Sequence, residues 1–213
     1  MKIPLHIILS ASSALLPFFT GLVFLKHLSK ELKFIWFFFV YSVLHETTLA
    51  LLAINKINNL WLGDIYTLLE LSFWILFFSF LEVHKTKKTL FRITIPCWIL
   101  LWITMTLLGE KLFEVNNITR AVEGLIILII GFYTLFKLDN KEMSLFFISP
   151  KFWLISGTLV YFSGTIIIFS LANIILNNHQ EIWMLHSIYN ITMHLCCAYG
   201  FVCVKLCNNR LTI

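Results

Sequence analysis

Histidine and acidic residues lie inside long apolar stretches of this chain, where such side chains are rare. His45 and Glu46 are adjacent in one stretch, Glu70 lies in the next, and His186 and His194 lie in the last. These side chains can bind protons, cations or polar ligands. Each ionisable group costs roughly 2.5–3.5 kcal/mol in a hydrocarbon interior on insertion scales, so it is expected to face the protein interior and to be functional.

The spacing of the polar residues places several of them on shared helix faces, because residues three or four apart are neighbours on a helix. The groups are Asp64, Thr67 and Glu70; Arg120 and Glu123; and His186, Asn190 and His194. The alternative interpretation is a structural network, in which Glu–His and Arg–Glu pairs lock the helices together. No catalytic residue is assigned, and the candidates for binding a ligand or a proton are His45, Glu46, Glu70, Arg120, Glu123, His186, Asn190 and His194.

A zinc site is a weaker interpretation of the same residues. Ser42, His45 and Asp64 resemble the serine, histidine and aspartate that alkaline ceramidases carry on their second and third helices. Those enzymes also place two histidines one turn apart on helix seven. Here His186 and His194 are eight residues apart, or ~12 Å along a helix, which is too far for a shared zinc ion at ~2 Å from each ligand. The sequence therefore predicts no cofactor, and His45, Asp64 and His186 are only weak metal candidates.

The composition indicates that membrane-spanning helices position these side chains. Of the 213 residues, 59% are hydrophobic and 13% are charged, about half of the ~25% that is usual in soluble domains. The mean hydropathy is +0.88. A soluble domain of this length would need a charged surface that this chain does not have. The composition therefore excludes a soluble enzyme, a disordered protein and a disulfide scaffold.

Seven stretches reach the ~20 apolar residues that a helix needs to cross a bilayer. The connections between them are too short to fold as separate domains. The predicted fold is all-α: residues 1–213 form a single polytopic domain of seven transmembrane helices. The predicted spans are 3–25, 34–54, 60–82, 90–109, 118–137, 152–176 and 182–205.

The lysines and arginines predict the orientation of the chain. Twelve of the 16 lie in the first, third and fifth connections and at the C-terminal end, and four lie on the other side. Cytoplasmic connections carry the excess of basic residues, which predicts an external N-terminus and an internal C-terminus. The net charge of +5 is explained by this topology, and a nucleic-acid partner is not needed to account for it.

An internal repeat is one interpretation of the asparagine pairs between the spans. Asn-Asn pairs occur at 58–59, 116–117 and 177–178, each shortly before an outside-to-inside span. Three helix hairpins of the same orientation plus a seventh helix would be a parallel repeat, as in some transporters. The alternative is that asparagine favours helix N-caps, so that similar pairs recur without a duplication of the sequence.

Other residues predict how the helices pack. The fourth span has no ionisable residue beyond Arg92, which predicts a helix that faces lipid. The sixth span carries Gly157 and Gly164 beside serines at seven-residue spacing, a pattern that favours close helix contact. Pro17 and Gly21 predict a kink in the first span.

Several segments resemble a family of short bacterial seven-helix integral membrane proteins. The segments are 58–62, 65–70, 152–153, 161–164 and 182–191, and the similarity covers nearly the whole chain. No activity is established for that family, and some of its sequences look like the membrane halves of sensor proteins. The resemblance implies a multi-pass protein of the bacterial cytoplasmic membrane.

Four functions are compatible with these residues. The leading hypothesis is a receptor-like or sensory membrane subunit, in which an outward-facing polar cavity binds a small molecule or ion. Its inner face would contact a cytoplasmic signalling protein or another membrane subunit. The second is a small proton-coupled transporter that uses Glu46, Glu70 and His194, and the third is an accessory subunit with structural polar layers. The last is a zinc-dependent intramembrane hydrolase, so a binding protein is favoured over an enzyme.

Overall fold

The computed structural model describes residues 4–108, 117–138, 147–170 and 181–211. Its regular structure is helical, and seven segments are long and apolar enough to cross a membrane. This confirms the all-α, seven-helix prediction, with α1 and α2 together forming the first span and α3 to α8 the other six. The helices are α1 (Leu5–Ser13), α2 (Leu15–Phe24), α3 (Lys30–Ile54), α4 (Leu60–Leu81), α5 (Lys85–Leu108), α6 (Asn117–Lys137), α7 (Pro150–Ser170) and α8 (Glu181–Leu211).

Several helices extend beyond their predicted spans. α3 begins at Lys30 and α5 at Lys85, four and five residues before predicted spans 34–54 and 90–109. The apolar criterion finds the part of a helix that lies in hydrocarbon, whereas lysine is a good helix former that continues the helix beyond it. The end of predicted span 152–176 and the Asn-Asn pair at 177–178 lie outside the described residues.

Six of the seven spans form a ring. The first span packs against α3 and α8, α3 against α4, α4 against α6, α6 against α7, and α7 against α8. α5 packs on the outside of α4, and 11% of its most apolar window is buried, compared with 61% for α7. The fourth span is therefore peripheral, as predicted, although its Trp98 is 1% exposed and belongs to the core.

The first span is interrupted between α1 and α2. Ala14 separates the two helices, three residues before Pro17. Proline has no N–H for the carbonyl of Ser13, four residues earlier, and its ring crowds that carbonyl. Gly21 has a different role from the predicted one, because it packs against α3: a Cβ there would lie 2.1 Å from Cδ1 of Trp36.

Glycines on α7 allow α8 to approach closely, as the small-residue pattern predicts. A Cβ on Gly157 would lie 2.6 Å from the Cβ of Cys196, and a Cβ on Gly164 would lie 2.3 Å from the ring of Tyr189. Ser163, by contrast, is exposed. The close contact therefore depends on the glycines rather than on the serine between them.

The basic connections lie at one end of the bundle. Nζ of Lys151 is 3.6 Å from Oε1 of Glu31, which joins the beginnings of α7 and α3. Lys137 pairs with Glu82, which joins the end of α6 to the residue after α4. We call this the lysine-rich end of the bundle, and it includes Lys30, Lys85, Lys137 and Lys151.

An aromatic layer fills the half of the bundle next to the lysine-rich end. Its six rings come from α3, α4 and α8, and each is fully buried. Burying such large rings is a major source of stability. The residues of this aromatic layer are Phe38, Phe39, Trp74, Phe77, Phe78 and Phe201.

Candidate ligand-binding site

The structure brings six of the eight predicted binding residues around one cavity of about 170 Å³. We call this the polar cavity. Its walls come from the junction of α1 and α2 and from α3, α4, α6, α7 and α8. The six predicted residues are His45, Glu46, Arg120, His186, Asn190 and His194, and the other lining residues are Ala14, Ser42, Leu49, Gly63, Tyr66 and Tyr161.

A second cavity of about 230 Å³ adjoins the polar cavity and shares Glu46, His186 and Asn190 with it. It also contacts Ile7 and Trp183, which lie in the first turns of α1 and α8. Those turns are at the end of the bundle opposite the lysine-rich end. The two cavities therefore form a polar route from that end toward the middle of the helices.

α4 orients His45 through its first turn. The imidazole Nε2 lies 3.3 Å from the carbonyl oxygen of Leu62, and the centre of the ring lies 4.3 Å from the centre of the Tyr66 ring, with the two planes tilted by 32°. The Tyr66 hydroxyl is in turn 3.0 Å from Oγ of Ser42. His45 is 7% exposed, and its Nδ1 has no hydrogen-bond partner in the described part of the chain.

Arg120 is held beside the same turn of α4. Its Nη2 donates to the carbonyl oxygen of Gly63 at 3.1 Å, and its guanidinium lies 5.1 Å from the centre of the Phe169 ring. A Cβ on residue 63 would be 3.1 Å from Nη2, so glycine gives the guanidinium room to approach. Successive carbonyls of α4 thus orient His45 and Arg120 next to each other.

The interruption of the first span positions a hydrogen-bond partner for His194. Oγ of Ser13, the last residue of α1, lies 2.7 Å from Nδ1 of His194 and donates to the carbonyl oxygen of Ser10 at 2.6 Å. One turn earlier on α8, Nδ2 of Asn190 donates to Oγ of Ser10 at 3.0 Å. Two serines of α1 therefore orient two of the predicted residues of α8.

His186 lies among aromatic rings. The centres of the Tyr161, Phe169 and Trp183 rings are 5.8, 5.9 and 6.2 Å from the centre of its imidazole. The rings approach edge to face. Of these three rings, only that of Tyr161 belongs to a residue that lines the polar cavity.

Glu70 and Glu123, the other two predicted residues, do not line the polar cavity. They are 1% and 2% exposed, and Asp64 is similarly buried. The Glu70 carboxyl interacts electrostatically with Arg120 and Glu46. These carboxyls therefore lie behind the cavity wall, close enough to influence its charges but without direct access to a ligand there.

The described residues contain no group of three or more His, Cys, Asp or Glu side chains spaced to hold a metal ion. The weak candidates His45, Asp64 and His186 do not form such a group. His45 instead bonds a backbone carbonyl, and His186 is surrounded by rings. The geometry of these side chains therefore gives the zinc interpretation no ligand set.

The aromatic layer closes the polar cavity on the side of the lysine-rich end. The ring of Phe39 lies 6.0 Å from the His194 ring and 6.1 Å from the Phe201 ring. Phe38 lies 6.1 Å from Tyr66 and 5.6 Å from Trp74. The cavity therefore ends on packed rings rather than continuing through the bundle.

Sequence reasoning did not identify four side chains of the site. Ser10 and Ser13 orient residues of α8, while Tyr66 and Tyr161 line the cavity. Pro17 is the signal for Ser13, because a proline disturbs the carbonyl four residues earlier. The aromatic residues carry no such signal, since tyrosines occur at many positions of apolar helices.

A separate polar cluster lies at the lysine-rich end, around Glu82. Its carboxylate accepts hydrogen bonds from Lys137, from the backbone N–H of His84 at 2.8 Å and from the Tyr133 hydroxyl at 3.0 Å. Lys87 donates to the same hydroxyl at 2.8 Å. Desolvation by itself raises the pKa of Glu82, but these hydrogen bonds and the Lys137 charge outweigh it and lower the pKa from 4.5 to about 2.

Comparisons of the chain with protein-family models, curated proteins and solved structures found no match. The resemblance to short bacterial seven-helix proteins therefore stays a prediction from the sequence. The geometry of the polar cavity and the hydrogen-bonding chemistry of its side chains therefore indicate the function.

Proposed function

We propose that this chain is a receptor-like or sensory membrane subunit that binds a small ligand in the polar cavity. The supporting observation is that one cavity gathers Arg120, Glu46, Asn190 and three histidines from helices that are distant in sequence. A cavity of about 170 Å³ is smaller than the roughly 300–1,000 Å³ of pockets for drug-sized ligands. The ligand is therefore a small molecule or ion.

The junction of α1 and α2 favours a receptor. The closed end of the cavity, where Phe39 and Phe201 pack behind His194, fits a receptor and the outward-facing state of a carrier alike. A ligand that contacts His194 also contacts the junction of α1 and α2 through Ser13. Ligand binding can shift the geometry of such a junction. A receptor can signal only if its ligand favours one geometry over another.

In this proposal the polar cavity opens to the outside of a bacterial cytoplasmic membrane, with the N-terminus outside and the C-terminus inside. The excess of basic residues at the lysine-rich end supports this orientation. Single cysteines at exposed Lys56 and Lys85, in a background without the native cysteines, test it in intact cells. An impermeant maleimide should label Lys56→Cys and spare Lys85→Cys, and the reverse pattern would overturn the orientation.

Native mass spectrometry of the protein in lipid nanodiscs, with elemental analysis of the same sample, tests ligand binding. We expect a bound small molecule that is lost in Arg120→Gln or in Glu46→Gln and kept in the matched variant Lys56→Gln. A stoichiometric metal that is lost in His45→Ala would favour the zinc hydrolase instead. A protein without any bound molecule, recovered only with another subunit, would favour the accessory function.

The contact with a cytoplasmic partner has its own test. A photo-crosslinking residue in place of Lys85, at the lysine-rich end, should trap a soluble signalling protein in cells. The same residue in place of Lys56, at the opposite end, is the matched control. Equal crosslinking from both positions, or none from position 85, would contradict a signalling role.

A small proton-coupled transporter is the second candidate, and the buried carboxyls of Glu70 and Glu123 favour it. Carboxyls inside membrane helices often form proton relays, and the predicted hairpin repeat is also found in transporters. Proton-coupled uptake into liposomes that disappears in Glu70→Gln would support this function. Absence of flux in the wild type, together with ligand binding, would support the receptor.

A further inference from the structure

We propose that the polar cavity binds its ligand through a primary ammonium group, with Nδ1 of His45, Nε2 of His194 and the Glu46 carboxylate as acceptors. This inference rests on the proposed function, because it requires the polar cavity to be a ligand site. It applies to a receptor and to a carrier alike. The ligand is either a small alkylammonium cation or a zwitterion that carries an ammonium group.

The hydrogen bond of His45 to α4 defines its free nitrogen. Nε2 faces the carbonyl oxygen of Leu62 at 3.3 Å, and a carbonyl can only accept, so Nε2 carries the proton. A neutral imidazole has one donor and one acceptor nitrogen, which makes Nδ1 an acceptor. That atom is buried and has no partner in the described part of the chain, and its residue lines the polar cavity. It therefore needs a donor, which a ligand in the cavity can supply.

The same reasoning applies to His194. The single hydroxyl proton of Ser13 is directed to the carbonyl oxygen of Ser10 at 2.6 Å. Ser13 Oγ must therefore accept at its 2.7 Å contact with His194, and Nδ1 of His194 is the donor. Nε2 of the neutral ring is then the acceptor. Both histidines line the polar cavity, and each one has an acceptor nitrogen left after its defined hydrogen bond.

Glu46 places a carboxyl group at the point where the two cavities meet. It lines both of them and makes no hydrogen bond or ion pair with another described residue. A carboxylate is acceptor-only when ionised. Among the described residues Glu46 is thus unlike Glu82 at the other end of the bundle, which pairs with a lysine. A cation from outside the chain would therefore be bound with a large gain over the empty site.

The aromatic residues of the cavity suit the carbon atoms next to an ammonium group. Tyr66 lies tilted beside His45, and Tyr161 lies beside His186. The methylene groups next to an ammonium carry part of its charge and are attracted to ring faces. In the proposed complex the N–H donors bind the three acceptors, and the short carbon chain contacts these rings.

Arg120 distinguishes the two kinds of ligand that could carry the ammonium group, an alkylammonium cation and a zwitterion. One of its nitrogens is used by the Gly63 carbonyl and its face lies over Phe169, but a guanidinium has five N–H donors. The remaining donors would bind the carboxylate of a zwitterion such as an amino acid. A simple alkylammonium would gain nothing from Arg120, whose charge would repel it.

Four small probes of similar size test the inference by calorimetric titration of the protein in nanodiscs. They are propylammonium, alanine, tetramethylammonium and propionate. We expect binding of propylammonium or alanine, with alanine favoured if Arg120 contributes, and at least tenfold weaker binding of the other two. Equal binding of tetramethylammonium, which has no N–H donor, would overturn the role of the acceptors, and preferential binding of propionate would overturn the charge.

Variants locate the site. Glu46→Gln should weaken binding of the ammonium probe at least tenfold, and Arg120→Gln should weaken alanine alone. Glu31→Gln, at the lysine-rich end, is the matched control and should bind as the wild type does. Equal binding by Glu46→Gln and the wild type would overturn the assignment of Glu46. A cooperative thermal unfolding transition in each variant without ligand shows that the loss of binding is not a loss of fold.

The inference and the proposed function can fail separately. If no ammonium probe binds but a different small molecule co-purifies with the wild type and not with Arg120→Gln, the cavity is a ligand site and the ammonium inference is wrong. If no probe binds and nothing co-purifies, both are wrong.

Discussion

Glu46 and Glu82 are two glutamates at opposite ends of the same bundle, and their surroundings differ. Glu82 accepts hydrogen bonds from a lysine, a tyrosine and a backbone N–H. Glu46 lines two cavities and has no such partner in the described part of the chain. One carboxylate is satisfied by its own chain, and the other lines two cavities, where a ligand or water can satisfy it.

The difference in hydrogen-bond partners distinguishes a polar residue that holds helices together from one that is available to a ligand. A buried charge that is paired and hydrogen-bonded holds helices together, as Glu82 joins the end of α4 to α6. A polar group left without a partner costs stability unless something binds it. The partners of a residue therefore say more about its role than its presence in an apolar stretch.

The largest effect should come from the helix contact that supports the polar cavity. Gly157→Val would place a side chain 2.6 Å from Cys196 Cβ and 3.2 Å from the Met193 backbone oxygen, next to His194. We expect a loss at the upper end of the roughly 1–3 kcal/mol typical of overpacking, and loss of ligand binding. Thermal unfolding in nanodiscs measures the first and titration the second. Ser163→Val, at an exposed position of the same helix, is the control and should change neither.

Exchange of each glutamate for glutamine tests the comparison directly. Glu82→Gln should destabilise the protein by about 1–2 kcal/mol, because charge-assisted hydrogen bonds are lost. Glu46→Gln should leave stability unchanged or raise it, because an unpaired charge is removed. Thermal unfolding of the two variants without ligand measures both. A larger loss in Glu46→Gln than in Glu82→Gln would contradict the comparison.

The dependence of stability on pH sharpens the same point. The pKa of Glu82 is lowered from 4.5 to about 2, so its contribution is complete above pH ~5 and is lost as the pH falls toward 2. We expect the wild type to lose stability over this interval by more than Glu82→Gln does. Unfolding temperatures at pH 6, 4 and 3 give the two curves. Parallel curves would show that Glu82 is not the group that titrates.

The smallest effect should come from the exposed pair at the lysine-rich end. Glu31 and Lys151 lie 3.6 Å apart with side chains 25% and 39% exposed. Exposed pairs contribute about 0–1 kcal/mol and are screened by salt. Glu31→Gln should therefore lower stability by less than Glu82→Gln, and the difference from wild type should shrink in 0.5 M salt. A loss as large as that of Glu82→Gln would show that exposure does not separate these two pairs.

The sequence by itself determined the seven apolar helices, the face shared by Asp64, Thr67 and Glu70, and the stripe from His186 to His194. These features are local, because the length of an apolar stretch and the 3.6-residue period depend on neighbours along the chain. The small-residue contact at Gly157 and the peripheral position of the fourth span are also local features. Each of them could be predicted from a short segment.

Only the tertiary structure decided which polar residues share a space. It placed His45, Arg120 and His194 around one cavity and left Glu70 and Glu123 behind its wall. The rotation of each helix depends on side chains far away in sequence, and no single stretch contains that information.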